Sequence, residues 1–247
     1  MTEDQIINIF GNGQVFDAIS LAKSNGFLSL AANFEKAIKH IEDTKEYSKH
    51  YMKNNGRVAG AQVMGVGGPD FRQMKAMSHI QELGAKTLLD IGCADGSFCI
   101  FCLKNKLVEN VIGIDPWIEG ILWADEYFKK QNLNGTFINA VLEDVNLDDY
   151  QFDVVHLGEI LEHVIDLVEV LKKLRKYDLK GIVITVPTER PPVTVDEKIL
   201  LTDGRVAEHV RLISIEHLQD YCERSGFYIS KSDTQGFGWV NLIATIK

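Results

Sequence analysis

The stretch Leu88–Phe98, LLDIGCADGSF, decides the fold. Its first half is a short apolar run of the kind a buried strand needs. Its second half places Gly92 and Gly96 where the chain must turn into a helix. Glycines there let the backbone bend tightly and approach a ligand at the helix N-terminus. A dinucleotide fingerprint would read GxGxxG and cradle a pyrophosphate. Here the spacing is GxxxG, and the carboxylates Asp90 and Asp95 flank it. Those acids repel a pyrophosphate and favour a ligand that carries an ammonium and a sulfonium.

Outward from this turn, strands alternate with helices from Thr87 to the end. The strands read TLLDI, NVIGID, TFINA, FDVVHL, GIVITVP, FYISKS and WVNLIATI, and the helices fall near 96–106, 117–132, 161–176 and 214–225. That alternation predicts an α/β fold with a mainly parallel, doubly wound, Rossmann-like sheet of seven strands. The last two strands are joined by a short turn-rich link, so an antiparallel last strand is expected. Ligands of such sheets bind beyond the carboxyl ends of the strands, where the winding reverses. The second strand ends there in Asp115, 19 residues past Gly96, an acid suited to the two hydroxyls of a ribose.

Residues 1–84 read as a helical extension ahead of the 85–247 domain. Thr2 to Gln5 form a capping box. A helix from about Gln14 to Asn25 is stopped by Gly26. Another carries Leu30, Phe34, Ile38 and Ile41 on one face. The pair around Gly26 resembles a single tetratricopeptide unit, too little for a repeat array. The glycine-rich stretch Arg57–Phe71 lacks the Gly-Lys-Ser/Thr ending of a P-loop and reads as a connection or a lid. Pro69 suits the first turn of a helix ending near Gly84.

The 247 residues carry a net charge of −9, which argues against nucleic acid or an anionic membrane surface as partner. No apolar 18-mer appears, so no membrane span is expected. Cys93, Cys99 and Cys102 crowd one segment, with Cys222 apart. This is a poor disulfide framework and reads as reduced thiols in a cytoplasmic protein.

Thr87 to Lys247 resembles the class I S-adenosylmethionine-dependent methyltransferases. LLDIGCADGSF is similar to the family's first motif and VIGIDPW to its second. FDVVHLGEILEHV is similar to its fourth-strand block, and HVRLISIEHLQDYCERSGF to its closing block. The resemblance implies that Asp90, Gly92, Cys93 and Gly96 line the methionine moiety of S-adenosylmethionine. It implies that Asp115 takes the ribose hydroxyls, that Pro116 and Trp117 lie near the adenine, and that Glu159 borders the donor. The acid that meets the adenine amine in the family falls near Val141, with Glu143 and Asp144 as substitutes. Two further departures are Ala94, at the middle glycine of the first motif, and Lys180, at one of a usual glycine pair.

The stretch Gly158–Val164, GEILEHV, carries the chemical ambiguity. If it is helical, Glu159, Glu162 and His163 share one face and, with His209, make a ligand set for a divalent ion such as Mg²⁺ or Mn²⁺. Similar Glu-x-x-Glu-His patterns occur in methyltransferases of small-RNA 3′ ends and of catechol-like rings. There a metal acts as Lewis acid on the substrate hydroxyls. The second reading makes His163 or His209 a general base. The third leaves the block as the closure of a helix turn. HLGE in place of an Asn/Asp-Pro-Pro-aromatic motif argues against methylation of an exocyclic amine. The long insertion Val186–Arg211 carries Arg190, Arg205, His209 and Arg211 and reads either as an acceptor-contacting loop or as a solvated surface loop.

The expectation is therefore a methyltransferase that acts on a hydroxyl of a small-molecule or glycan acceptor and releases S-adenosylhomocysteine. Its competitors are a metal-dependent 2′-O-methyltransferase of an RNA 3′ end and a donor-binding regulatory module without catalysis.

Overall fold

The computed structural model describes residues 1–2, 5–6, 9, 15–42, 68–164, 167–187, 213, 215–235 and 239–245. Seven strands form one sheet in the order β3-β2-β1-β4-β5-β7-β6. They are β1 (Thr87–Ile91), β2 (Asn110–Asp115), β3 (Gly135–Asn139), β4 (Val154–Gly158), β5 (Gly181–Pro187), β6 (Tyr228–Gln235) and β7 (Trp239–Thr245). The pairs among β1 to β5 are parallel. Only β7 runs antiparallel, between β5 and β6. The expected sheet and its reversed last strand are thus observed.

Side chains alternate between two cores with the period of two that strands impose. Leu88, Val111, Val154 and Val183 face one cluster. Leu89, Ile112, Val155 and Ile182 face the other. The first face is covered by α3 (Phe71–Leu83), α4 (Ser97–Lys104) and α5 (Ile118–Gln131). The second is covered by α6 (Leu167–Leu174) and α7 (Ile215–Arg224). Winding reverses between β1 and β4, which opens a crevice at their carboxyl ends.

Two helix boundaries differ from the sequence reading. The helix expected over 161–176 begins only at Leu167; before it, Leu161–His163 is a single 3₁₀ turn. Pro69 lies outside α3, because Asp70 is its N-cap. The Asp70 carboxylate accepts the Arg72 and Gln73 amides, and the Asp70 amide donates in return to the Gln73 side-chain oxygen. Gly84 ends α3 with φ 60°, the left-handed cap that its position in the sequence implied.

At the N-terminus, Thr2 and Gln5 exchange the reciprocal bonds of a capping box. The helices α1 (Val15–Ser24) and α2 (Leu28–Glu42) pack on each other through Ala18, Ala22, Leu30 and Phe34, in a cluster separate from both sheet faces. Lys180 ties the start of β5 to its neighbours. Its ammonium meets Asp153 at 3.2 Å and donates to the Gly84 carbonyl.

Candidate functional site

The turn after β1 is built from three residues with positive φ: Gly92 at 78°, Ala94 at 50° and Gly96 at 71°. Gly96 caps α4 and leaves no room for a side chain, since a Cβ there would lie 2.8 Å from the Phe137 ring. The Gly92 amide donates to the Ile114 carbonyl at 2.8 Å, drawing the turn against the end of β2. Ala94 holds a conformation that glycine adopts without strain, at a cost of about 1 kcal/mol. Its amide is fixed in return by Asp115.

Asp115 is the hub of this cleft. Its Oδ2 accepts the Ala94 amide and its Oδ1 the Trp117 amide, each at 2.8 Å. Each oxygen retains a lone pair, so the carboxylate can take two hydroxyls as well. Burial pushes its pKa up to about 6. The two amide bonds oppose that rise, and the nearby Asp90 and Asp95 carboxylates add to it. Asp95 is turned into α4, where it accepts the Ser97 amide at 3.0 Å. Cys93 is buried, and burial drives its thiol well up, with Asp115 next in effect, so it packs as an apolar group.

Of the residues assigned to the adenine end, Pro116 is exposed and Trp117 precedes α5 with its ring folded onto Gly120. Asp144 is exposed on the 3₁₀ turn Leu142–Asp144. Glu143 shares that turn, and its side chain lies outside the described residues.

Asp90 is 2% exposed, and its partner is a residue the sequence reading passed over. Asp90 and His156 sit side by side in the β1–β4 register. Nδ1 of His156 lies 2.7 Å from Asp90 Oδ1. The Cys99 thiol approaches Oδ2 at 3.4 Å, and the Phe98 ring stacks on the imidazole at 4.1 Å. The signal was a polar residue inside the apolar run FDVVHL, one strand away from the buried acid.

The GEILEHV stretch does not form the helical face that the metal reading required. Glu159 has φ 55°, and its amide donates to the Thr185 carbonyl at 2.8 Å. Its carboxylate meets Arg72 Nη1 at 2.8 Å, while Arg72 Nη2 holds Asp70 at the same distance. Glu162 is 1% exposed. His163 ends the 3₁₀ turn, and its side chain, like all of His209 and the stretch 188–212, lies outside the described residues. Among the described residues, no group of three or more His, Cys, Asp or Glu is arranged to hold a metal ion. None of their helices is long and apolar enough to cross a membrane. The structure therefore brings Asp90, Gly92, Cys93, Gly96 and Asp115 together at the carboxyl ends of β1 and β2, with Asp90 and Cys93 buried, and clamps Glu159 to Arg72 at the end of β4.

Comparison with known proteins gives this geometry a context. A family described as a methyltransferase domain matches residues 70–232. A ubiquinone biosynthesis O-methyltransferase of Rhodopseudomonas palustris is 33% identical over 96 residues, covering 39% of this chain and 36% of its own length. A tRNA U34 carboxymethyltransferase of Campylobacter lari is 28% identical over 157 residues, covering 60% of this chain and 52% of its own. The matches thus span about half or less of these curated relatives. Among solved structures, magnesium protoporphyrin IX methyltransferase of Synechocystis with bound S-adenosylhomocysteine superposes with a TM-score of 0.59. That pair is 18% identical, over 82% of this chain and 99% of the other. At that identity the likeness is one of fold.

Proposed function

The chain belongs to the methyltransferase-domain family, and from that premise we propose that it transfers a methyl group from S-adenosylmethionine to a hydroxyl of a small molecule or glycan. The observation that carries the donor assignment is the Asp115 carboxylate, held by the Ala94 and Trp117 amides at the mouth of the Gly92–Gly96 turn. The residues fit the donor. The positive φ at Gly92 and Gly96 folds the turn tightly beside Asp115, which keeps two lone pairs for a vicinal diol. The donor supplies an electrophilic methyl group.

This chain's own part is alignment. The β1 turn and Asp115 hold the donor end, while Arg72 and Glu159 fix the rim at the end of β4. Holding both reactants in line accounts for most of the rate in such a displacement. The acceptor's proton needs a base, for which the sequence offers His163 and His209. Among the described residues the geometry gives no support to a divalent ion on Glu159 and Glu162 with His163 and His209. Glu159 lies off the required face and is paired with Arg72.

The hydroxyl acceptor is favoured by the kinship with a ubiquinone biosynthesis O-methyltransferase and by the net charge of −9. The kinship with a tRNA carboxymethyltransferase supports a second reading, with an RNA acceptor. Both are tested by offering tritium-labelled S-adenosylmethionine with catechols, vicinal diols and free sugars in one series and with total tRNA in another. Label in a small hydroxylated product is the expected result. Label in tRNA alone would replace this reading with the second.

A further inference from the structure

We propose that the base at this site is His156, oriented by Asp90. The inference rests on the hydroxyl-methyltransferase reading and deepens it. Three observations converge on this imidazole.

The first is its partner. Nδ1 lies 2.7 Å from Oδ1 of a carboxylate that is 2% exposed. A carboxylate at that distance fixes Nδ1 as the protonated nitrogen, which leaves a lone pair on Nε2. The arrangement is that of a base held in tautomer and direction by a buried acid.

The second is where Nε2 points. Side chains two apart on a strand share a face, so His156 and Gly158 lie on the same side of β4. A Cβ on Gly158 would come within 2.8 Å of Nε2, against 3.4 Å from Nδ1. The edge of the ring that carries Cε1 and Nε2 is therefore laid over Gly158. Gly158 is the last residue of β4, at the crevice where β1 and β4 part. Glycine at 158 is what makes space for the ring there.

The third is restraint. The Phe98 ring stacks on the imidazole at 4.1 Å, and no hydrogen bond occupies Nε2 among the described residues. His156 is 7% exposed, which screens the imidazole from bulk water.

The step balances without a further reactant. The acceptor oxygen forms its bond to the methyl carbon as the carbon–sulfur bond breaks. The acceptor O–H bond breaks, and its proton passes to Nε2. The resulting imidazolium is stabilised by Asp90 across Nδ1–H, and S-adenosylhomocysteine leaves with the electron pair of the broken bond.

The test uses the full chain and two readouts. Nitrogen-15 spectra of histidine-labelled protein saturated with S-adenosylhomocysteine, with His156→Gln to assign the signal, report the tautomer. Label transfer from S-adenosylmethionine to catechol, vicinal diols and free sugars reports the chemistry. Expected are an Nδ1–H tautomer at neutral pH and a loss of at least about a hundredfold in transfer for His156→Gln. Affinity for S-adenosylhomocysteine should stay within about threefold. Gly158→Ala, which keeps the histidine but displaces its ring, should lose transfer as well. An Nε2–H tautomer overturns the inference, as does transfer retained by His156→Gln but lost in His163→Ala. A wild type that binds S-adenosylhomocysteine but labels none of these acceptors counts against the hydroxyl reading instead. The spectra then judge the Asp90–His156 pair on their own.

Discussion

On the proposed reading, single residues set the pH dependence of donor binding. Asp115 has a carboxyl raised to about 6, so in the free protein it takes up a proton as pH falls through that value. On the proposed reading, in which ribose hydroxyls donate to the ionised form, binding should be strongest above about pH 7 and weaken progressively below about 6. Affinity for S-adenosylhomocysteine should fall about tenfold from pH 7 to pH 5. Calorimetric titrations across that range check this, and Asp115→Asn should bind weakly with a flat profile. The sign for folding is opposite. A carboxyl whose pKa is raised on folding favours the folded state below the unfolded value of 3.8, and that contribution is lost as pH rises through about 6. Ala94 gives a second single-residue prediction. Its φ of 50° is strained for any residue with a Cβ, so Ala94→Gly should raise stability by about 1 kcal/mol in denaturant titrations and leave donor affinity unchanged.

At the scale of elements, α3 is locked to the end of β4 by a chain of three side chains. Asp70 caps the helix and also holds Arg72, and Arg72 holds Glu159. Asp70→Ala removes the cap and frees the guanidinium. It should cost about 1–2 kcal/mol, read as a lower midpoint in urea, with weakened donor binding from the loosened rim. The strands were legible in the sequence almost to the residue, because buried parallel strands are short apolar runs bounded by turn residues. The glycine turn and Asp115 were legible for a related reason, since strand ends and helix starts constrain residue type. The Asp90–His156 pair and the Arg72–Glu159 clamp were not. Their partners lie 66 and 87 residues apart, and strand order and register, which no local pattern encodes, bring them together. GEILEHV misled for the opposite reason. Its spacing fits a helix, but Glu159 is in the left-handed region with its amide bonded to β5, and the helix starts later.

At the scale of the molecule, two clusters pack the sheet and a third packs the N-terminal hairpin. Phe34 lies in the third, so Phe34→Ala should loosen α1 and α2 while the sheet domain keeps its main melting transition, resolved by hydrogen exchange of the two regions. The sheet domain carries the central claim, that the crevice between β1, β2 and β4 holds S-adenosylmethionine through the glycine turn and Asp115. The most direct measurement is calorimetric titration of the full chain with S-adenosylhomocysteine at pH 7.5, beside Asp115→Ala. The account predicts saturable one-to-one binding by the wild type, with a loss of at least about tenfold in the variant. No binding by the wild type, or equal binding by both proteins, would contradict it.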